Sequence, residues 1–212
     1  MIERAFFPMP RRRIFLQQVI LLGLGMSATG VIFSGTQKEE YLSASVASAM
    51  GRSIRHSSPP HLIFTTQVDA KRWLEQMDKQ LKKYVNFAYE RHNILLNLQY
   101  EASRAGLDPQ LILGLIEVES RFRRYAISAA GARGLMQVMP FWVRQIGEPW
   151  HNLFDMRTNL RYGCTILRHY LDIERGNLFR ALGRYNGSLG RTNYPNAVIR
   201  AARSHWLYNG AG

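Results

Sequence analysis

The stretch DPQLILGLIEVES, residues 108–120, decides the fold of this chain. Asp108 is a residue type that caps helix N-termini, and Pro109 suits the first helical position, where its missing N–H would have no partner in any case. The apolar residues that follow recur at the three- and four-residue spacing of a helix with one buried face. The stretch therefore predicts an α-helix that begins at Pro109.

One carboxylate of this helix lies on the apolar face. At about 100° per residue, Glu119 falls on the same side as Ile112 and Ile116, whereas Glu117 is rotated by about 200° from Glu119. Burial penalises the charged form of a carboxyl and raises its pKa, so such a group can act as a general acid near neutral pH. The alternative is an ion pair with an arginine of residues 121–124.

Helical patterns also fill the chain on both sides of this segment, and no stretch shows the sustained alternation of a strand. A chain of 212 residues with 46% hydrophobic residues can bury a core, which excludes wholesale disorder. The predicted fold class is mainly α. The predicted helices cover residues 69–84, 87–106, 109–120, 141–146, 156–174, 178–185 and 195–207.

Residues 1–34 have the pattern of an export signal. Arginines at positions 4, 11, 12 and 13 precede an uncharged apolar stretch of 15 residues, 19–33, which is shorter than the about 20 residues of a membrane span. Counting back to residue 14 gives a longer segment, 14–33, that would stay in the inner membrane as a signal anchor. The sequence thus predicts export to the periplasm, and leaves open a cleaved signal peptide or an uncleaved anchor.

The rest of the chain divides into two parts. Residues 35–61 are rich in Ser, Ala and Gly and include a Ser-Ser-Pro-Pro run at 57–60, which predicts a flexible linker over residues 35–66. Residues 67–212 form the predicted helical domain with an N-terminal helical extension. Cys164 is the only cysteine, so no intrachain disulfide is expected. Since no cysteine stands directly after the signal segment, we do not expect a lipoprotein.

The charge of the chain narrows the class of partner. The sequence has 28 Lys and Arg against 15 Asp and Glu, a net charge of +13, which favours a polyanionic partner or simply a solvated basic surface. No motif that reads nucleic acid is present, so we do not expect a nucleic-acid binder. Nothing in the sequence indicates an oligomeric state.

A loop of small residues follows the helix, and residues 128–140 lead from it into a short apolar turn. Small residues allow the backbone to approach a ligand closely, as in the wall of a cleft. Ser128 and Gln137 offer neutral hydrogen bonds suited to sugar hydroxyls, and Met139 offers an adaptable apolar surface. Taken singly, each of these residues is equally at home in an ordinary loop or core.

Together, several motifs resemble the catalytic domain of the soluble lytic transglycosylases. The similarity spans residues 95–207 with the motifs in the same order. The motifs are ESRF at residues 119–122, AIS at 126–128, GARGLMQVMP at 131–140 and ALGRYN at 181–186. Two departures concern the shape and charge of the cleft: Arg184 stands where the family often has Ala, and Gly187-Ser188 where Ala-Gly is frequent.

The resemblance implies a goose-type lysozyme-like helical domain that acts on the glycan strands of peptidoglycan. It implies that Glu119 is the catalytic residue and that Ser128, Gln137 and Met139 line the cleft. It also implies that Tyr185 lies near the substrate's acetamido group or the glutamate, and that Asn186 supports the cleft. These five residues are the predicted substrate-binding residues.

The resemblance further implies a reaction with one carboxylate and no metal or cofactor. Glu119 would protonate the β-1,4 bond between N-acetylmuramic acid and N-acetylglucosamine, and then deprotonate the muramoyl 6-hydroxyl to close a 1,6-anhydro ring. The acids after Glu119 lie outside any cleft-like motif, which favours this scheme over a pair of carboxylates. A hydrolytic muramidase, or a wall-remodelling module of a secretion or pilus system, stays open as an alternative.

Overall fold

Polar capping residues set where the helices of this chain begin. In the computed structural model, which describes residues 37–208 and Gly210, Asp108 accepts a hydrogen bond of 2.8 Å from the N–H of Gln110, and Asp155 accepts one of 2.8 Å from the N–H of Thr158. The described residues form eight α-helices: α1 (Ala44–Arg55), α2 (Gln67–Leu81), α3 (Ala88–Arg104), α4 (Pro109–Glu119), α5 (Phe141–Ile146), α6 (Met156–Ile173), α7 (Leu178–Asn186) and α8 (Asn193–His205).

The mainly α-helical fold class and all seven predicted helices are confirmed. Between residues 37 and 208 the chain has no strand, only isolated bridges that join Arg133 to Ile127 and to Val138. The boundaries differ by up to three residues. Helix α2, for example, is capped by Thr66, whose hydroxyl accepts the N–H of Asp69 at 3.1 Å, so it begins two residues earlier than predicted.

Helix α1 corrects the prediction of a flexible linker over residues 35–66. Ser43 caps this helix, and Met50, Gly51 and Ile54 are buried on the side that faces α5 and α6. Met50 and Ile54 lie four residues apart and so share one face of the helix. The Ser- and Ala-rich composition suggested a chain that could not bury apolar area, but these two side chains find a docking surface on the domain.

Helices α4 and α8 form the most extensive helix–helix contact of the described residues. Gly114 permits it, because a Cβ atom at position 114 would lie 2.6 Å from the backbone nitrogen of Ala202 and 2.9 Å from the carbonyl oxygen of Val198. Backbone atoms cannot rotate away as a flexible side chain can. The absence of a side chain at Gly114 therefore sets how closely the two helices pack.

A buried carboxylate joins α3 to α6. Glu101 is fully buried and pairs with Arg104 at 2.9 Å, with Arg161 at 3.1 Å and with Arg157 at 3.4 Å. Arg161 also donates to the carbonyl oxygen of Ile54 in α1 at 3.0 Å. Three guanidinium groups thus compensate one buried charge, and the cluster ties three helices together.

The predicted export segment, residues 1–34, lies outside the described residues. In the part of the chain that the structure describes, none of the helices has the length and apolar character needed to cross a bilayer. The division into signal segment, linker and domain stays a prediction, apart from the helix found within the linker.

Candidate active site

Glu119 is the last residue of α4, and the backbone turns sharply directly after it. Arg121 and Phe122 both have a positive φ, 51° and 61°, a region that costs energy for residues other than glycine and that often marks functional sites. The turn sends the Phe122 ring into the core, where its centroid lies 5.2 Å from those of Tyr84 and Trp206. The Phe122 anchor therefore holds α4 so that it ends at Glu119.

The Glu119 carboxyl is partly buried, and its contact among the described residues is with a tyrosine. Tyr194 of α8 donates a hydrogen bond of 2.6 Å to Glu119 Oε1. Burial raises the pKa of Glu119 to about 7, and the Tyr194 hydrogen bond, which favours the charged form, opposes that rise. Within the described chain, Glu119 is therefore a carboxyl whose raised pKa favours retention of a proton closer to neutral pH than an ordinary glutamate allows.

The alternative of an ion pair between Glu119 and a neighbouring arginine is wrong. Arg123 donates through Nε to the carbonyl oxygen of Ser120, and Arg124 donates through Nε to that of Phe154. Between residues 37 and 208, no Lys, Arg or His side chain forms an ion pair with Glu119.

Glu117 faces away from Glu119, as the helical phase predicts. Its carboxylate accepts hydrogen bonds from Trp206 Nε1 at 2.7 Å and lies 2.8 Å from His205 Nδ1. It also contacts the hydroxyl of Tyr84, whose pKa burial and Glu117 raise to about 12. The two glutamates of α4 therefore belong to separate sites, and Glu117 ties the end of α8 to α4.

The loop after Glu119 is fixed by its own hydrogen bonds. Ser128 Oγ accepts the N–H of Ala132 at 3.1 Å. Gln137, which is buried and has a φ of 50°, donates through Nε2 to the carbonyl oxygens of Gly134 at 2.9 Å and Ala126 at 3.2 Å. The Gln137 amide nitrogen thus shapes the loop, and only its oxygen is left for a ligand.

Asn159 of α6 supports the same loop and was missed from the sequence. It is buried, its Oδ1 accepts the N–H of Met136 at 2.8 Å, and its Nδ2 donates to the carbonyl oxygens of Arg133 and Leu153. The signal in the sequence was a polar residue on the apolar face of α6, four residues before the buried Gly163. Such a residue needs internal partners.

The remaining predicted residues lie on α7 and before α5. Tyr185 is fully buried and donates to the carbonyl oxygen of Met136 at 2.8 Å, and the pKa of Tyr185 is raised by burial and by the charge of Glu119. Asn186 is buried at the end of α7. Met139 is partly buried, and its N–H donates to Gln37 Oε1 at 3.2 Å. The structure therefore brings Tyr185 into the electrostatic field of Glu119.

Tyr194 is the second residue that sequence reasoning missed. It is fully buried on α8, 75 positions from its partner Glu119. The predicted helix began at residue 195, one position after Tyr194, so the sequence interpretation left this residue out of α8, which begins at Asn193. Nor did the sequence indicate a partner for its hydroxyl.

Replacement of Tyr194 by phenylalanine is expected to make Glu119 a weaker acid. The hydrogen bond that favours the carboxylate is lost, so the pKa of Glu119 rises. The loss of a hydrogen bond to a charged group corresponds to a shift of the alkaline limb of activity by about 1–2 pH units to higher pH. The pH profile of kcat/KM measures this shift. Tyr84→Phe, which removes a hydroxyl from Glu117 instead, is the matched control, and an equal shift in both variants would contradict the assignment.

Other reactive groups of the described residues are not arranged for chemistry. Cys164 is buried, and burial raises the pKa of its thiol, in keeping with a small core residue. No group of three or more His, Cys, Asp or Glu side chains that could hold a metal occurs in residues 37–208. The partly buried, tyrosine-bonded Glu119 is therefore the candidate catalytic group.

Comparison with known proteins identifies the family. A family model described as the transglycosylase SLT domain matches residues 97–203, just over half of the 212-residue chain and within the span of the motifs quoted above. The chain belongs to the transglycosylase SLT family. The resemblance read from the motifs is therefore confirmed, and the mainly α-helical fold class agrees with it.

Relatives of the SLT domain occur in phages and bacteria. The transglycosylase of Enterobacteria phage PRD1 is 33% identical over 106 residues, which cover 47% of this chain and 39% of the phage protein. The membrane-bound lytic murein transglycosylase C of Mannheimia succiniciproducens is 39% identical over 97 residues, which cover 41% of this chain and 27% of that protein. The chain thus spans less than two fifths of the length of these curated relatives.

A solved structure also matches part of the SLT domain. An inactive mutant of the lytic transglycosylase Slt from Pseudomonas aeruginosa is 27% identical, with a TM-score of 0.41. The match covers 51% of this chain and 21% of that one.

Proposed function

We propose that this protein is a lytic transglycosylase that cleaves peptidoglycan glycan strands between N-acetylmuramic acid and N-acetylglucosamine without consuming water. The observation that carries the proposal is the environment of Glu119, which ends α4, accepts a hydrogen bond of 2.6 Å from Tyr194 and has a pKa that burial raises to about 7. Membership of the SLT family supports the substrate class, as do the printed names of relatives that are lytic murein transglycosylases.

In the proposed mechanism Glu119 acts first as an acid and then as a base. The protonated carboxyl donates its proton to the glycosidic oxygen while the bond from that oxygen to C1 of the muramoyl unit breaks. The substrate's own 2-acetamido group stabilises the positive charge that develops at C1. The Glu119 carboxylate, stabilised by the Tyr194 hydroxyl, then takes the proton of the muramoyl 6-hydroxyl, whose oxygen bonds to C1. This closes the 1,6-anhydro ring and returns the proton to Glu119.

A second catalytic carboxylate has no support among the described residues. Asp155 caps α6, and Asp172 pairs with Arg168 on the surface. Glu174 contacts Arg180 and Arg184, and Glu148 lies beside Arg55. Since a glycosidase of the common kind needs two carboxylates about 5–10 Å apart, the substrate-assisted route with one carboxylate is favoured.

We propose that Ser128, Gln137, Met139, Tyr185 and Asn186 bind the glycan around Glu119. Ser128 and Gln137 lie on the loop that follows Glu119, and their remaining oxygen lone pairs suit sugar hydroxyls. Met139 and Tyr185 are linked through Met136 and Gln37. Tyr185 donates to the carbonyl oxygen of Met136, and the N–H of Met139 donates to the side chain of Gln37, which lies beside Tyr185. These contacts support a common cleft wall.

The proposed substrate also accounts for the charge and the N-terminal sequence. Peptidoglycan carries carboxylates on its peptide stems and lactyl groups. A chain with 28 basic and 15 acidic residues, and so a net charge of +13, would attract these carboxylates. The substrate lies in the periplasm, so we propose export through residues 1–34, with residues 14–33 either removed or retained as an inner-membrane anchor. No metal, cofactor or nucleic acid takes part in the proposal.

Digestion of purified peptidoglycan is expected to give muropeptides with 1,6-anhydro ends. Because no water is added, each such product is lighter by one water molecule than the corresponding reducing-end muropeptide, and mass spectrometry of the digest separates the two. A digest in which most new ends are reducing would contradict the proposal and identify a hydrolytic muramidase. A chain that opens no glycosidic bond would instead favour a non-catalytic wall module.

A further inference from the structure

Gln37 lies outside the matched SLT domain, residues 97–203, and accepts hydrogen bonds from two donors beside the proposed cleft. Gln37 is buried, and its side-chain oxygen Oε1 accepts hydrogen bonds from Trp142 Nε1 at 2.9 Å and from the backbone N–H of Met139 at 3.2 Å. Two donors from adjacent turns of the chain thus converge on one amide carbonyl. The two donors form a binding site for a carboxamide group, and the side chain of Gln37 occupies it.

The Gln37 side chain also lies close to Tyr185. Its amide lies beside the hydroxyl of Tyr185, without forming a hydrogen bond to it. Tyr185 in turn donates to the carbonyl oxygen of Met136, three residues before Met139. Gln37 is therefore part of the same cluster as Met139 and Tyr185, both of which are proposed to bind substrate.

The residues that follow Gln37 hold it there through contacts at the surface. Gln145 donates to the carbonyl oxygen of Glu40 at 3.0 Å, and Arg184 lies 3.4 Å from the Glu40 carboxylate. Arg184 is the residue that stands where the resembling family often has Ala. Its guanidinium is therefore placed to hold residues 37–40 across α7 and α5.

We infer that Gln37 is an internal ligand that competes with an N-acetyl group of the glycan for the carboxamide site formed by Met139 and Trp142. This inference rests on the proposed function, because it takes the substrate to be an N-acetylated glycan. An acetamido group presents the same carbonyl acceptor and the same amide N–H as a glutamine side chain. In this resting arrangement, residues 37–40 must leave before the glycan occupies the site.

The internal ligand leaves one of its own polar groups unsatisfied. Gln37 Nε2 is buried without a hydrogen-bond partner among the described residues, which leaves a donor desolvated and uncompensated. The ion pair of Glu39 with Arg144 is largely exposed, and exposed pairs add little stability. A glycan that satisfies both the carbonyl and the amide N–H of its acetamido group would therefore replace Gln37.

Binding of N-acetylglucosamine tetramer tests the inference in the full chain carrying Glu119→Gln, so that no turnover interferes. Calorimetry is expected to show that adding Gln37→Ala lowers the dissociation constant by about tenfold. The site is then empty, so no free energy is spent on displacing the Gln37 side chain before the tetramer binds. Glu40→Gln, which breaks the Arg184 contact and leaves the site itself intact, is expected to tighten binding in the same direction. Hydrogen exchange of residues 37–43 is expected to speed up when the tetramer binds.

Gln99→Ala is the matched control. Gln99 is equally buried and also holds an upstream segment, since it exchanges hydrogen bonds of 2.7 and 2.8 Å with the backbone of Ile63, but it lies away from the proposed cleft residues. Its loss should leave the dissociation constant unchanged. Unchanged or weaker binding in folded Gln37→Ala protein, or stronger protection of residues 37–43 in the complex, would overturn the inference. Failure of the proposed function would appear separately, as wild-type chain that forms no anhydro ends.

Discussion

Replacing Glu119 by glutamine is expected to reduce the release of muropeptides from purified peptidoglycan by about 10⁴-fold, the upper range for loss of a general acid–base group. Glutamine keeps the size of the side chain and can still contact the Tyr194 hydroxyl, but it can neither donate the proton to the leaving oxygen nor accept one from the 6-hydroxyl. Because one carboxyl performs both steps in the proposed mechanism, no second residue can partly compensate. Chromatography of the soluble products measures the loss.

Glu117→Gln is the control for this experiment. Glu117 lies two residues away in the same helix, but its carboxylate contacts Trp206 and His205 on the opposite side. We expect Glu117→Gln to retain activity and to lose some stability at the contact of α4 with α8. Circular dichroism would confirm that both variants are folded. Wild-type activity in folded Glu119→Gln protein would refute the assignment of Glu119.

Replacing Glu101 by glutamine is expected to lower the free energy of unfolding by about 3–5 kcal/mol, the usual effect of removing one partner from a buried ion pair. Glutamine fits the space, but it leaves the guanidinium groups of Arg104, Arg157 and Arg161 together without their counter-charge. All three lie largely out of solvent, so water replaces the lost carboxylate only in part. Urea unfolding followed by circular dichroism measures the change.

Glu75→Gln provides the comparison for Glu101→Gln. Glu75 pairs with Lys71 at 3.9 Å on α2, and both side chains are well exposed, so we expect this substitution to cost less than about 1 kcal/mol. A loss for Glu101→Gln as small as that for Glu75→Gln would show that the buried cluster is not a stabilising element.

The helices of this protein could be predicted because capping residues close to each helix end in the sequence determine where the helices begin. Asp108 with Pro109, and Asp155 before α6, are caps that act within one turn of the chain. Helix α1 could not be predicted in the same way. Its composition resembles a linker, and it is the burial of Met50 and Ile54 against α5 and α6 that stabilises it, a contact with residues about 100 positions away in the chain.

The residues of the candidate site also fall into those that local sequence predicts and those that depend on distant contacts. Helical phase alone separated Glu119 from Glu117, because both lie on one regular helix and only their angle matters. Tyr194 and Asn159 escaped prediction because their partners come from other elements: the Glu119 carboxyl is 75 positions from Tyr194, and the Met136 N–H is 23 positions from Asn159. Periodicity shows that such residues are buried, and only the folded chain shows what they contact.

The close packing of α4 on α8 has a consequence for how the acidity of Glu119 is set. Gly114 lets the two backbones touch, and this separation brings the hydroxyl of Tyr194 to 2.6 Å from the Glu119 carboxyl. The pKa of Glu119 is thus tied to the absence of a side chain at position 114, more than a helical turn away. We expect a methyl group at this position to separate α4 from α8 and so to change the pKa of Glu119 without contacting its carboxyl.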